Sequence, residues 1–120
     1  VKSVPAGTGV SYGHTFHTSK VTRLAVLPVG YEDGYSRLLS NRATVLVHGR
    51  SVPVVGRVCM NMCMIDVTDV DEVVAGDEAV LLGRQGRESI TADDIARHMG
   101  SISYEVLCLL GNNNQRHYIE

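Results

Sequence analysis

Thr44-Val-Leu-Val-His48 and Ser51-Val-Pro-Val-Val55 are two short runs rich in β-branched residues, separated only by Gly49-Arg50. Two such runs with a two-residue break predict a β-hairpin, and a Gly-X loop suits a type II′ turn. The same pattern extends outward on both sides. Val10 to Phe16 alternates loosely behind a Gly-Thr-Gly turn, and Leu24 to Val29 is an apolar run ending at Gly30. Downstream, Val58 to Val67 predicts a longer strand, and Glu78 to Leu82 sits between Gly76-Asp77 and Gly83, with another turn at Gly86. Only near the C-terminus does the period change. Thr91 to Met99 predicts a helix that Thr91 caps, that Asp93 and Asp94 favour at its positive end, and that Gly100 stops. Ile102, Val106, Leu109 and Leu110 share one helical face in a second helix, Tyr104 to Leu110, ending at Gly111. Several strands with short connections and little helix predict a mainly β fold, a small barrel or sandwich.

The 120 residues fit one domain, and 44% hydrophobic content supports a packed core. Aromatics are 5% and Trp is absent, so the core is expected to be aliphatic. The net charge is −2, and no run of Lys or Arg provides the footprint of a nucleic-acid binder. The apolar runs are far shorter than the ~20 residues that cross a bilayer, and no signal-peptide pattern opens the chain. Three unevenly spaced cysteines, Cys59, Cys63 and Cys108, read as reduced thiols rather than a disulfide framework. Cys59 and Cys63 could share a strand face near His48, but close Cys pairing and a fourth ligand are absent, so no metal is expected. His14 and His17 are expected on opposite faces of a strand, and Asp66, Asp69, Asp71 and Glu72 on a solvated turn. The chain opens on Val1, which reads as the start of a piece of a longer chain.

Five segments together point further. They are Gly9-Val-Ser-Tyr-Gly-His-Thr-Phe16, Leu27-Pro-Val-Gly-Tyr-Glu-Asp-Gly-Tyr35, Val55-Gly-Arg-Val-Cys-Met-Asn-Met-Cys-Met-Ile65, Val80-Leu-Leu-Gly-Arg-Gln-Gly86 and Ile102-Ser-Tyr-Glu-Val-Leu-Cys108. In this order and spacing they resemble the C-terminal domain of alanine racemases. The resemblance implies a mainly β, small barrel-like domain with two short helices near the C-terminus, filling residues 1–120. It implies an N-terminal (α/β)8 barrel, not in this chain, that holds pyridoxal 5′-phosphate on a lysine. It also implies a homodimer in which each active site joins the barrel of one subunit to the C-terminal domain of the other. The implied setting is the bacterial cytoplasm, where D-alanine feeds peptidoglycan. The domain alone is expected to be inactive. Lys2 and Lys20 lie in no cofactor motif, which agrees with an upstream cofactor lysine.

Racemisation removes a proton from one face of the α-carbon and returns one to the other, so two acid/base groups are needed. By the resemblance Tyr12 serves the L-alanine face and a barrel lysine the other. A phenol ionises near pH 10, and lowering that by ~3 units takes about 4 kcal/mol of phenolate stabilisation, which nearby cations supply. The resemblance places those cations in the barrel. It assigns the backbone N–H of Met60 to the substrate carboxylate and the Tyr104 hydroxyl to the cofactor phosphate. Tyr31 and Tyr104 narrow the entrance, and Arg57, Arg37 and Ile102 line its outer corridor. Asn61 departs from the usual aspartate, losing a charge while keeping an acceptor. Judged by pattern alone, Tyr12 would be a strand tyrosine on a core, and Met60, Met62 and Met64 one face of a strand. Two other functions stay open: a racemase for serine, lysine or many amino acids, and a non-catalytic β-barrel interaction module. The racemase reading expects Tyr12, Tyr31 and Tyr104 on one exposed concave face.

Overall fold

The computed structural model describes residues 1–119, with the side chain of Tyr12 outside the described set. Its strands in chain order are β1 (Lys2–Val4), β2 (Gly9–Val10), β3 (Phe16–His17), β4 (Thr22–Leu27), β5 (Thr44–Val47), β6 (Arg50–Val55), β7 (Cys63–Asp66), β8 (Ala79–Val80), β9 (Gly83–Gln85) and β10 (Glu88–Ile90). Two helices follow, α1 (Ala92–Met99) and α2 (Ser103–Asn113). Six strands form one antiparallel sheet in the order β1-β4-β7-β6-β5-β8, while β2–β3 and β9–β10 are separate two-stranded ribbons. The mainly β class with two C-terminal helices therefore holds.

The β5–β6 hairpin forms with Val47 opposite Arg50. Its loop is His48-Gly49, one residue earlier than expected. Both loop residues have positive φ, 52° and 73°, which makes the turn type I′ rather than II′. Histidine is among the residues that tolerate this left-handed region. β6 buries the alternate residues Val52 and Val54, while β5, flanked by β6 and β8, buries Val45, Leu46 and Val47 in succession. The main core gathers them with Leu46, Ile65, Val58, Val67 and α1 residues Ile95, Ala96 and Met99. A smaller cluster, Val4, Val10, Leu24 and Val55, joins β1, β2 and β4 to β6. Among the described residues the core is mostly aliphatic, but Tyr35 is among the largest fully buried side chains and Phe16 packs against the smaller cluster.

Two predicted strands are broken. Val10 to Phe16 divides into β2, a 3₁₀ turn over Tyr12–His14, and β3. The cause is backbone geometry, since Ser11, Gly13 and His14 all have positive φ. His14 and His17 therefore do not lie on opposite strand faces; their rings meet edge-on, 6.1 Å between centroids. Val58 to Val67 yields only β7. Val58 donates its N–H to Ser40 Oγ (2.8 Å) instead of a ladder, and Cys59 to Met62 folds into a tight loop closed by Cys59 N–H to the Met62 carbonyl (2.9 Å). Met60 and Met62 are thus exposed on a loop rather than packed on a strand face.

At the C-terminus α1 has the expected cap. Thr91 Oγ1 accepts from Asp94 N–H (3.1 Å), and the Asp94 carboxylate accepts from Thr91 N–H (2.8 Å). Those Thr91 bonds, with Arg97 nearby, hold the Asp94 carboxyl below the usual carboxylate range. The second helix does not stop at Gly111. It runs on to Asn113, because Asn113 and Asn114 amides donate to the carbonyls of Leu109 (2.6 Å) and Leu110 (2.8 Å) at the helix end.

Candidate active-site face

The turn that carries Tyr12 is held against the loop from Gly56 to Met62. Ser11 Oγ donates to the Arg57 carbonyl (2.9 Å) and lies 3.4 Å from Cys59 Sγ. A Cβ on Gly56 would lie 2.8 Å from Ser11 Cβ and 2.9 Å from the Val10 carbonyl oxygen, so the two backbones approach as only glycine allows. On the far side, the Arg57 side chain packs over Gly13. Ser11 itself sits at φ 66°, ψ 175°, a region that ordinarily only glycine occupies, at a strain of roughly 1–3 kcal/mol. Tyr12 thus stands on a turn whose backbone is constrained on both sides, and its side chain lies outside the described residues.

Met60 and Tyr31 are brought together by backbone bonds. Tyr31 N–H donates to the Cys59 carbonyl (3.0 Å) and Glu32 N–H to the Met60 carbonyl (3.0 Å). The fit requires Gly30, where a Cβ would lie 2.1 Å from the Cys59 oxygen. The Asp33 carboxylate closes the 3₁₀ turn Tyr31–Asp33 by accepting from Gly30 N–H (3.1 Å). The side chains of Tyr31 (43% exposed) and Met60 (54%) remain open, and Asn61 beside them is exposed at the loop tip.

The remaining candidates attach more loosely. Arg37 opens the 3₁₀ turn Arg37–Leu39; Ser40 Oγ donates to its carbonyl (2.6 Å) and accepts from Val58, which ties this turn to the Arg57 segment. Ile102 is the residue before α2, and Tyr104, 75% exposed, stands on its first turn. The other end of α2 touches the Tyr31 turn: a Cβ on Gly34 would lie 2.2 Å from the Leu109 carbonyl oxygen, and the Asn114 amide donates to the Asp33 carbonyl (2.6 Å). Tyr104 lies about 7.5 Å along the helix axis from Leu109, at 1.5 Å per residue. The structure therefore groups the Tyr12 turn, Arg57, Met60, Asn61 and Tyr31 directly, reaches Arg37 through Ser40, and leaves Ile102 and Tyr104 at the start of α2.

Sequence reading missed the polar side chains that hold these loops. Ser11, Ser40, Asn41 and Asp33 sit in turns, where such residues commonly bond local backbone, and nothing in their spacing marks their partners. Tyr35 was also missed as core. Its hydroxyl has no hydrogen-bond partner among the described residues, and burial, with Cys63 beside it, raises its pKa. Burial, then the Cys59 thiol, push Cys63 up to about 12. Cys59 lies on the loop and Cys63 on β7, whereas His48, in the β5–β6 turn, has its Nε2 2.8 Å from Asp77 Oδ2. That carboxylate also accepts from Val74 N–H, and these bonds, Val74 first, hold Asp77 below the usual carboxylate range. Among the described residues no three His, Cys, Asp or Glu side chains gather as metal ligands would. A cleft of about 410 Å³ lined by Val26, Leu27, Val47, Val73 and Val74 includes none of the described candidate residues.

The family model for the alanine racemase C-terminal domain matches residues 1–118. The chain belongs to that family. It is 50% identical over all of its length to the alanine racemase of Desulfovibrio desulfuricans, covering 32% of that protein. It is 53% identical over 99% of its length to the alanine racemase of Thermodesulfovibrio yellowstonii, covering 33% of it. Among solved structures it resembles the alanine racemase from D-cycloserine-producing Streptomyces lavendulae, with a TM-score of 0.91 and 43% identity over 99% of this chain and 31% of that one. The alanine racemase from Oenococcus oeni matches with a TM-score of 0.90 at 30% identity, over 98% of this chain and 32% of that one. The chain thus spans about a third of the length of the alanine racemases it matches. No helix among the described residues is long and apolar enough to cross a membrane.

Proposed function

We propose that this chain works as the C-terminal domain of an alanine racemase, interconverting L- and D-alanine by two-base chemistry with Tyr12 as the base on the L face. The observation that carries this reading is the strained Ser11–His14 turn clamped between Arg57 and Gly56, next to the loop that presents Met60 beside Tyr31. Strain of this kind persists where the surrounding structure over-determines it, and it concentrates at functional sites.

Pyridoxal 5′-phosphate, held by the N-terminal barrel, would supply an electron sink that makes the α C–H acidic. The residues present fit a contributing role toward it: the Tyr104 hydroxyl is exposed on the first turn of α2 and can donate to a phosphate oxygen. Tyr12 removes the proton from L-alanine and returns one in the reverse direction. The Met60 N–H orients the substrate carboxylate. Tyr31 and Tyr104 narrow the entrance, with Arg57, Arg37, Ile102 and Asn61 along its rim. Asn61 removes a negative charge that the family usually keeps at this point. The working assembly is a homodimer in which this domain meets the barrel of the second subunit. It serves in the bacterial cytoplasm, where D-alanine supplies peptidoglycan.

The test is Tyr12→Phe in the full-length enzyme, assayed in both directions. Loss of a positioned acid/base group lowers turnover about 10²- to 10⁴-fold. A loss of that size in both directions, with cofactor absorbance retained, supports the reading. Unchanged turnover removes Tyr12 from the chemistry.

A further inference from the structure

Asn41 joins three segments with one side chain. Its Oδ1 accepts from Gly56 N–H (2.7 Å), and its own N–H donates to the Gly56 carbonyl (3.2 Å). Its Nδ2 donates to Thr15 Oγ1 (3.0 Å), at the exit of the turn that carries Tyr12. Asn41 has φ 57°, a left-handed conformation that asparagine tolerates better than most residues. Gly56 is the bend, φ 79°, that sends the chain from β6 into the Arg57–Met60 loop. Its neighbours on the other side are Ser11 and Val10. The Tyr12 turn is therefore gripped twice. Ser11 bonds the Arg57 carbonyl at its entry, and Asn41 bonds Thr15 at its exit while fixing the bend that both grips share.

We propose that Asn41 is a positioning residue that sets the Tyr12 turn relative to the Met60 loop. The inference rests on Tyr12 acting as a base, and it deepens that reading. Packing of Val10 with Val55 anchors the chain before the turn, and the Asn41 bond to Thr15 fixes its exit. The ribbon β2–β3 that flanks the turn is short, pairing Gly9 with His17 and Val10 with Phe16 and continuing through Thr18 N–H to the Thr8 carbonyl (3.0 Å), and it is separate from the main sheet. Asn41 and Thr15 are exposed, so their mutual bond adds little to stability because water competes for it, whereas Gly56 is buried and its N–H loses an acceptor when Asn41 is cut back. The main effect should fall on alignment. A displacement of about 1 Å between reacting groups can cost about 10²-fold in rate, so loss of one of two grips is expected to cost about tenfold.

The experiment uses the full-length enzyme with Asn41→Gly, Asn41→Asp, Thr15→Val and Tyr12→Phe. Glycine keeps the left-handed backbone and deletes only the clip. Aspartate keeps the acceptor for Gly56, and Thr15 can donate its hydroxyl to the other carboxylate oxygen. Each variant is assayed with L-alanine and D-alanine, each with protium or deuterium at the α-carbon, and its thermal midpoint is recorded. The expected result for Asn41→Gly is a kcat about tenfold lower, a KM near wild type, a modestly lower thermal midpoint from the unpaired Gly56 N–H, and a deuterium isotope effect that rises with L-alanine more than with D-alanine. Thr15→Val should move the same way by less, and Asn41→Asp should restore turnover. Wild-type turnover and isotope effects in Asn41→Gly, with Tyr12→Phe inactive, would overturn the positioning role while leaving Tyr12 as base. A parallel fall in kcat and thermal midpoint with unchanged isotope effects would also overturn it, in favour of a structural role. Turnover retained in Tyr12→Phe would overturn both.

Discussion

The β5–β6 hairpin and the pair of loops beside it, residues 9–17 and 56–62, are built on opposite principles. The hairpin is a regular ladder. Its valines are buried, its turn uses a standard left-handed pair, and its side chains enter the main core. The loops have almost no ladder. They are held by single hydroxyl and amide groups on backbone carbonyls and N–H groups, and by glycines that let backbones nearly touch. The hairpin spends apolar area on stability. The loops use directional bonds to set the relative positions of a few exposed groups, at the expense of strain at Ser11. In this domain the stable part and the candidate chemical part are adjacent but separately maintained.

The comparison breaks if the two regions respond alike to substitution. Leu46→Ala, in the hairpin, should have the largest effect on stability. Truncating a buried leucine costs about 2–5 kcal/mol, and Leu46 is almost wholly buried. Denaturant unfolding of the domain measures it. Gly30→Ala, under the Tyr31 turn, should cost less stability, about 1–3 kcal/mol of overpacking. Its new Cβ would meet the Cys59 oxygen and must push the Tyr31 turn off the Met60 loop. Turnover of the full-length enzyme should then fall by about tenfold or more, a larger share of its function than Leu46→Ala removes at temperatures where both variants stay folded. Equal destabilisation by the two substitutions, with activity tracking stability alone, would erase the distinction.

The smallest expected effect sharpens the boundary, at the buried start of β7. The Cys63 thiol is pushed up to about 12 from 9.0 by burial and by Cys59. An unfolded chain ionises this thiol near 9, while the folded one keeps it protonated. Its contribution to stability is therefore present below pH 9 and is lost as pH rises from 9 toward 12. Against neutral pH the loss reaches about 1 kcal/mol at pH 10. Melting curves of the wild type and Cys63→Ala at pH 7 and 10 should diverge in that sense, with the wild type showing the steeper alkaline decline. Parallel declines would mean that Cys63 is not insulated from solvent.

Local pattern made much of the fold readable. The β5–β6 hairpin, the Thr91 cap and the Gly100 stop follow from residue types a few positions apart, and all three formed. Val10 to Phe16 and Val58 to Val67 carry strand-like residues, yet the first turns at Ser11, Gly13 and His14, where Ser11 bonds the Arg57 carbonyl, and the second is drawn off by Ser40 and closed by Cys59 N–H on the Met62 carbonyl. Gly111 is a stop signal that fails because the amides of Asn113 and Asn114 donate to the Leu109 and Leu110 carbonyls just before it. The site behaves likewise. The five ordered motifs point to Tyr12, Met60, Tyr31 and Tyr104, while Asn41, Ser40 and Ser11, which hold the loops, read as ordinary turn residues.

The sequence by itself determined the class of fold, the two helices, the aliphatic bulk of the core and the family to which the chain belongs. Those properties depend on hydrophobic period, turn chemistry and motif order, which act over short separations along the chain. Only the tertiary structure decided that the predicted strands break into opposed loops, that Tyr35 is core, and that Asn41 reaches both Gly56 and Thr15. Each of these depends on a hydrogen bond or close contact between residues distant in sequence, and its strength depends on geometry that no local pattern encodes.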